Sequence, residues 1–133
     1  MSLKGSCTLS FINCKYSELE INQIINLSAT TVITKDQLVS KALNERAKHN
    51  AWLYKEKIQE NNAPSDALEQ LLSKLDIVKI QSIIDSCDEA FINLFLNTDY
   101  GQLGFELTPR VITLLSKLNL KLEIHVISFG RVE

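Results

Sequence analysis

Five stretches of the chain are rich in strand-forming residues, and most of them alternate apolar and polar positions with the two-residue period of a β-strand. They are residues 6–13, 51–57, 90–97, 103–107 and 121–129. The β-branched run from Thr30 to Thr34 is compatible with a further short strand. Residues 98–102 are polar and include Gly101, so we predict that the third and fourth stretches form a β-hairpin.

Between these strands, apolar residues recur at the three- and four-residue spacing of amphipathic helices, each behind a capping residue. The residues that open the predicted helices are Ser17 with Glu20, Pro64, Asp76, and Thr108 with Pro109. Ser17 and Glu20 match a reciprocal capping box. Asp76 separates two apolar segments, which are therefore two helices or one kinked helix. The predicted core face of the last helix is Val111, Ile112, Leu115 and Leu118.

This pattern predicts a single α+β domain over residues 1–133, with the order β-α-β-α(α)-β-β-α-β. The sheet is expected to be antiparallel or mixed, with the helices mainly on one face. The order resembles a ferredoxin-like core with a helical insertion. Residues 34–50 are polar and largely aperiodic, and a loop of that length is often either functional or mobile.

Strand alternation also predicts which side chains lie on the outer face of the sheet, away from the helices. The predicted outer set is Trp52, Tyr54, Phe91, Phe95, Glu106, Glu123 and His125. A mixed aromatic and polar patch of this kind is typical of a binding or dimerisation surface. The alternative is that residues 34–50 cover part of the patch, so that its aromatic residues form a second small core.

Composition narrows the class of protein. Apolar residues make up 45% and charged residues 23% of the chain, as in folded soluble domains. The net charge of −2 lacks the basic excess that phosphate contacts require, so no nucleic-acid partner is expected. No apolar run approaches the roughly 20 residues of a membrane helix, and residues 1–5 lack the apolar core of a signal peptide. We therefore expect a cytoplasmic protein with no membrane partner.

Motifs for catalysis or cofactor binding are not found in the sequence. Cys7, Cys14 and Cys87 are odd in number and have no CxxC spacing, which argues against a disulfide framework and a zinc site and favours buried thiols in a reducing cytoplasm. Phosphate-binding glycine loops and the GxSxG elbow are absent. Glu123 and His125 share a strand face, but any strand with polar outer positions gives this pattern. No catalytic, cofactor-binding or metal-binding residue is assigned.

The C-terminal stretch GFELTPRVITLLSKLNLKLEIHVIS, residues 104–128, joins a strand, a Thr-Pro helix start, a Leu-rich helix and a final strand. Together with the opening strand and helix of residues 7–27 and with Trp52 ahead of the helix at 66–75, it resembles the bacterial domain-of-unknown-function 4279 family. Residues 32–36 (VITKD) lack the Gly that many members have there. The resemblance implies a small bacterial cytoplasmic domain with no assigned activity and no catalytic residues.

Two hypotheses follow from the sequence. The first is a non-catalytic protein-binding or interaction module that uses the outer sheet face, either to neutralise a toxin as an immunity-type protein or to self-associate as a homodimer. The alternative is a small-molecule sensor or minor enzyme with a pocket between the sheet and the 34–50 loop. The alternative expects His125 and Glu123 to converge with a loop group such as Asp36 or His49.

Overall fold

A five-stranded sheet forms the centre of the protein in the computed structural model, which describes residues 3–59 and 62–131. The strands are β1 Leu3–Ile12, β2 Thr31–Ile33, β3 Leu38–Ser40, β4 Glu45–Arg46, β5 Ala51–Lys57, β6 Glu89–Tyr100 and β7 Lys121–Arg131. The helices are α1 Glu18–Ile25, α2 Pro64–Ser73, α3 Ile77–Ser86 and α4 Pro109–Leu118. None of the helices in these two ranges has the length and apolar character needed to cross a membrane.

The five strands lie in the order β2-β5-β1-β6-β7. The central strand β1 runs antiparallel to both β5 and β6, whereas β6 and β7 are parallel. Strands β3 and β4 form a separate two-stranded sheet within the predicted long loop. The α+β class and the mixed sheet are therefore confirmed. The ferredoxin-like core is not: α2 and α3 connect two parallel strands that flank β1, but the hairpin of the predicted order is missing.

One face of the large sheet carries the hydrophobic core. The fully buried strand residues on this face are Cys7, Leu9, Phe11, Ile92, Leu94 and Leu96. The helices cover them with the buried residues Ile21, Ile25, Leu68, Leu71, Leu72, Ile80, Ile83, Val111 and Leu118. The prediction that helices gather mainly on one face is confirmed, because the buried strand and helix residues belong to one cluster.

Helix boundaries follow the predicted caps. The Ser17 hydroxyl accepts from the Glu20 amide at 3.2 Å, and the Glu20 carboxylate accepts from the Ser17 amide at 3.1 Å. Asp76 accepts from the amides of residues 78 and 79 and so separates α2 from α3 as distinct helices. Thr108 caps α4, and Asn119 ends it in the left-handed conformation, with φ of 56°. Local side-chain chemistry therefore sets where these helices start and stop.

The predicted hairpin after β6 is wrong. β6 continues to Tyr100 because Thr98 and Tyr100 still pair with β7. Residues 103–107 form no strand, although Leu103, Phe105 and Leu107 are half-buried against the core and Glu106 is exposed. Alternation correctly predicts which side chains of residues 103–107 are partly buried, but it does not show whether their backbone has a hydrogen-bonding partner.

The predicted core face of α4 is partly wrong. Val111 and Leu118 are fully buried, and Leu115 is half-buried, but Ile112 is 54% exposed. The buried stripe of the helix, which contacts α2 and α3, is therefore narrower than its apolar residues suggest.

The prediction that the cysteines form no disulfide is also wrong. Cys14 follows β1 and Cys87 precedes β6, and since these strands are antiparallel neighbours the two residues meet although 73 positions separate them in sequence. They form a disulfide, while Cys7 stays a buried free thiol. Local spacing does not reveal such a pair. The cysteine count therefore no longer supports a reducing compartment.

Candidate functional site

Trp52 and Tyr54 were predicted to lie on the outer face of the sheet, and this prediction is wrong. Trp52 pairs with Phe11 and Tyr54 with Leu9, and directly opposed residues point to the same face. Both aromatic rings therefore point toward the helices, and Trp52 is only 3% exposed. Leu53 takes the outer position. Alternation gives no reliable phase for this strand, because Trp52, Leu53 and Tyr54 are all apolar.

Trp52 and Tyr54 instead take part in polar contacts on the helix side. The Trp52 indole N–H donates to Asn22 Oδ1 of α1 at 2.9 Å. Tyr54 donates to Glu56 at 3.0 Å, and Lys74, at the end of α2, contacts both groups. The hydrogen bond with Glu56 raises the pKa of the Lys74 ammonium. These contacts hold β5 against α1 and the end of α2, so the role of Trp52 and Tyr54 is structural.

Four residues of the predicted set do share the outer face. Phe91 and Phe95 on β6 lie on the same face as Glu123 and His125 on β7, because Phe95 pairs directly with His125 and Asn93 with Glu123. Phe95 is 36% exposed. Glu106 is not part of this face, since it lies in the loop before α4. The outer face thus keeps its aromatic and charged character along β6 and β7, but it loses the tryptophan strand.

The charged groups on this face form a chain of ion pairs. Lys121 Nζ lies 3.2 Å from Glu89 Oε1 and 3.1 Å from Glu123 Oε1, and it stands over the Phe91 ring at 5.3 Å from the centroid. The hydrogen bonds with Glu123 and Glu89 raise the pKa of Lys121. His125 Nε2 lies 3.7 Å from Glu123 Oε2. The predicted neighbourhood of Glu123 and His125 is therefore confirmed, on an open surface.

The most unusual surface belongs to β7, the edge strand beside β6. It has 11 residues and pairs with β6 alone among the described strands. Its exposed apolar side chains point to both faces of the sheet: Ile124 is 44% exposed, Val126 48%, Ile127 43% and Phe129 69%. A long, apolar edge strand is a template for pairing with another chain. Sequence alternation predicted the two faces of β7, but it did not predict that β7 lies at the edge.

The opposite edge of the sheet is built differently. It is formed by β2, which has three residues and therefore offers a short run of free backbone groups. Short edge strands, charges and prolines are the usual protections against edge pairing. Residues 122–129 of β7 include neither proline nor a charged side chain on the helix-side face. Of the two edges, β7 therefore leaves the longer run of backbone unpaired among the described strands.

A cavity of about 220 Å³ lies between the end of β1, the start of α1 and strands β2 and β5. Its apolar lining includes Phe11, Ile21, Val32 and Trp52. Polar groups at its margin come from Tyr16, Ser17, Glu18, Thr34 and Asn50. The position overlaps the pocket predicted between the sheet and the 34–50 loop.

The groups expected to converge at that pocket do not meet. His125 and Glu123 lie on β7, at the sheet edge opposite β2 and the 34–50 segment. Asp36 and His49 are exposed beside the small β3-β4 sheet. Over the residues that the structure describes, no three His, Cys, Asp or Glu side chains are grouped as metal ligands. The geometry therefore offers two separate candidate sites, the β7 edge with the outer face and the cavity beside α1.

The helices on one face, the mixed sheet and the open edge define a small α+β domain with an exposed sheet surface. The family model described as Domain of unknown function (DUF4279) matches residues 3–128, nearly the whole chain, so the chain belongs to this family. The resemblance seen in the sequence is thereby confirmed. No curated protein and no solved structure matches the chain.

Proposed function

We propose that this chain is a protein-interaction module that binds its partner through the free edge of β7. One observation supports this proposal above all, namely an 11-residue edge strand with four apolar side chains that are 43–69% exposed. Every second residue of an edge strand points its backbone N–H and C=O away from the sheet, where another strand can pair with them. Exposed apolar side chains on both faces of the same strand add area that a partner would remove from water.

The outer face beside β7 extends the proposed surface. Phe91 and Phe95 supply aromatic area, and Glu123 with His125 supplies polar groups next to it. Protein interfaces typically combine an apolar centre with a polar rim. In this arrangement the strand edge provides backbone pairing, and the neighbouring side chains select the partner. A protein partner fits these features better than a small molecule, since Glu123 and His125 stand on an exposed sheet surface.

Site-specific photo-crosslinking tests the proposal. We expect Phe129→p-benzoylphenylalanine, on β7, to form covalent protein adducts in cells that express the chain. The matched control is Val78→p-benzoylphenylalanine on α3, where the native residue is 81% exposed and lies away from the sheet. Adducts at both positions alike, or at neither, would overturn the proposal. The adduct mass separates a second copy of the chain from a different protein.

A second candidate function is small-molecule binding in the cavity beside α1. The observation that favours it is the apolar lining of Phe11 and Trp52 together with the polar margin, which is the usual make-up of a ligand site. A volume of about 220 Å³ lies below the roughly 300–1,000 Å³ of drug-sized sites. The cavity therefore suits a small metabolite.

We expect that, if the cavity binds a metabolite, a thermal-shift screen will find a compound that raises the melting temperature, because binding to the native state stabilises it. Val32→Trp would fill the cavity and abolish that shift, whereas Val39→Trp, on the exposed β3, would keep it. A shift that survives Val32→Trp, or no shift with any metabolite class, contradicts this second function.

A further inference from the structure

We infer that the partner of β7 is a second copy of this chain, paired β7 to β7 in antiparallel fashion about a two-fold axis beside Ile124. This inference rests on the proposed function and names its partner. It would join two five-stranded sheets into one continuous sheet with the helices of both copies on the same face. The observations that carry it are the free edge, its apolar residues and the order of polar residues along β7.

Geometry limits the registers that are available. Directly opposed residues in an antiparallel pair point to the same face, and successive residues alternate between faces. The two-fold axis must therefore set one residue directly opposite its own copy. An axis midway between two successive residues would oppose side chains that point to different faces. In the central part of β7 the positions to compare are residues 123, 124, 125 and 126.

Hydrogen-bonding complementarity between Glu123 and His125 selects the axis at Ile124 among these positions. This register sets Glu123 opposite His125 of the second copy, and two-fold symmetry produces the contact twice. Each Glu123 already lies 3.7 Å from the His125 of its own strand, so the two copies would build a four-residue cluster of alternating Glu and His. An imidazole N–H can donate to a carboxylate oxygen across the strand pair, and cross-strand polar pairs of this kind are stabilising.

None of the other three axes places Glu123 opposite His125. An axis at Glu123 sets the two Glu123 carboxylates against each other and Lys121 against His125. An axis at His125 faces the two imidazoles and places Glu123 opposite Ile127. An axis at Val126 leaves Glu123 opposite an apolar residue.

The same register matches the apolar side chains on the helix-side face. Ile124 meets its own copy, and Val126 lies opposite Leu122. Ile124 and Val126 are 44% and 48% exposed in the single chain, although they share the face that carries the core. The register would bring the exposed Val126 against Leu122 from both sides of the axis. Apolar cross-strand contacts of this kind are the side-chain unit of sheet stability.

A disulfide trap tests both the partner and the register. Ile124→Cys places a thiol on the proposed axis, where opposed Cα atoms lie about 4.5–5.5 Å apart, within disulfide range. Val126→Cys lies on the same face with a similar exposure, but its copy is offset by four residues, about 13 Å along the strand. We expect oxidation to convert most Ile124→Cys chains to a covalent dimer and to leave Val126→Cys monomeric. The native cysteines do not interfere, because Cys14 and Cys87 are bonded and Cys7 is buried.

The wild-type mass in solution completes the test. Light scattering over a concentration series is expected to reach twice the 15.0 kDa of one chain. A mass of one chain at every concentration would overturn the homodimer, whereas photo-crosslinks from residue 129 to another protein would still support an interaction module. A dimer trapped equally or better through Val126→Cys would overturn the register. Circular dichroism of both variants confirms that they fold before the traps are compared.

Discussion

Leu9→Ala is expected to lower the free energy of unfolding by about 2–5 kcal/mol, the range for removing a buried leucine side chain from a packed core. Leu9 is fully buried on the central strand, between Tyr54 on β5 and Ile92 on β6. Because neighbours on both sides are held in the sheet, the space left by the side chain has little freedom to collapse. Urea unfolding followed by the fluorescence of Trp52, the only tryptophan, measures the change.

Leu19→Ala is the matched control for this prediction. The sequence places Leu19 with the apolar residues of α1, but its side chain is 71% exposed. Its truncation is expected to change the unfolding free energy by less than about 0.5 kcal/mol. Equal effects of the two substitutions would show that β1 does not present Leu9 to the core.

The second large effect is expected from the disulfide between Cys14 and Cys87. Replacing both residues by alanine should lower stability by about 2–5 kcal/mol, because the bond closes a long loop and so restricts the unfolded chain. The two cysteines are 73 positions apart, and the restriction of the unfolded chain grows with the length of the loop that the bond closes. Denaturant unfolding with and without a reducing agent gives the same comparison on the unaltered chain.

Thiol counting checks the pairing directly. Burial, with a smaller contribution from Glu56, raises the pKa of the Cys7 thiol to about 12, so the native protein should expose no reactive thiol at pH 8. The denatured protein should show one thiol without reductant and three with it. Three thiols in the absence of reductant would contradict the disulfide.

The pKa of Cys7 also gives stability a dependence on pH. An unfolded thiol ionises near its ordinary value of 9.0, while the folded one holds its proton to about 12. The folded state therefore binds the proton more tightly. The contribution of the neutral buried thiol is complete below pH 9 and is lost as the pH rises toward 12. Cys7→Ala should remove this part of the alkaline decline.

Features that depend on neighbouring residues were predictable from the sequence. The capping box of Ser17 and the caps at Asp76 and Thr108 form over a few residues, so the sequence contains their whole cause. The facing of β1, β6 and β7 was also predictable, since their apolar and polar residues alternate. The predicted facing of Trp52 was wrong, because three consecutive apolar residues do not show which of them points to the core.

Features that depend on distant residues were not predictable. The disulfide and the edge position of β7 arise from the strand order, which a local pattern does not encode. The candidate site shows the same division. Phe91, Phe95, Glu123 and His125 were correctly placed on one face. The free edge that makes this face a candidate interface appears only when the strands are assembled.

The central position of β1 has a consequence for how the chain folds during synthesis. β1 leaves the ribosome before β5 and β6, yet these are the two strands that hold it, and its residue Leu3 pairs with Thr98. Contacts so distant in sequence form slowly, because a long segment must be ordered first. Until β6 has emerged, one side of β1 stays unpaired and its core residues stay uncovered. The sheet therefore cannot be completed until the second half of the chain has been made, and the apolar residues of β1 are open to non-native contacts until then.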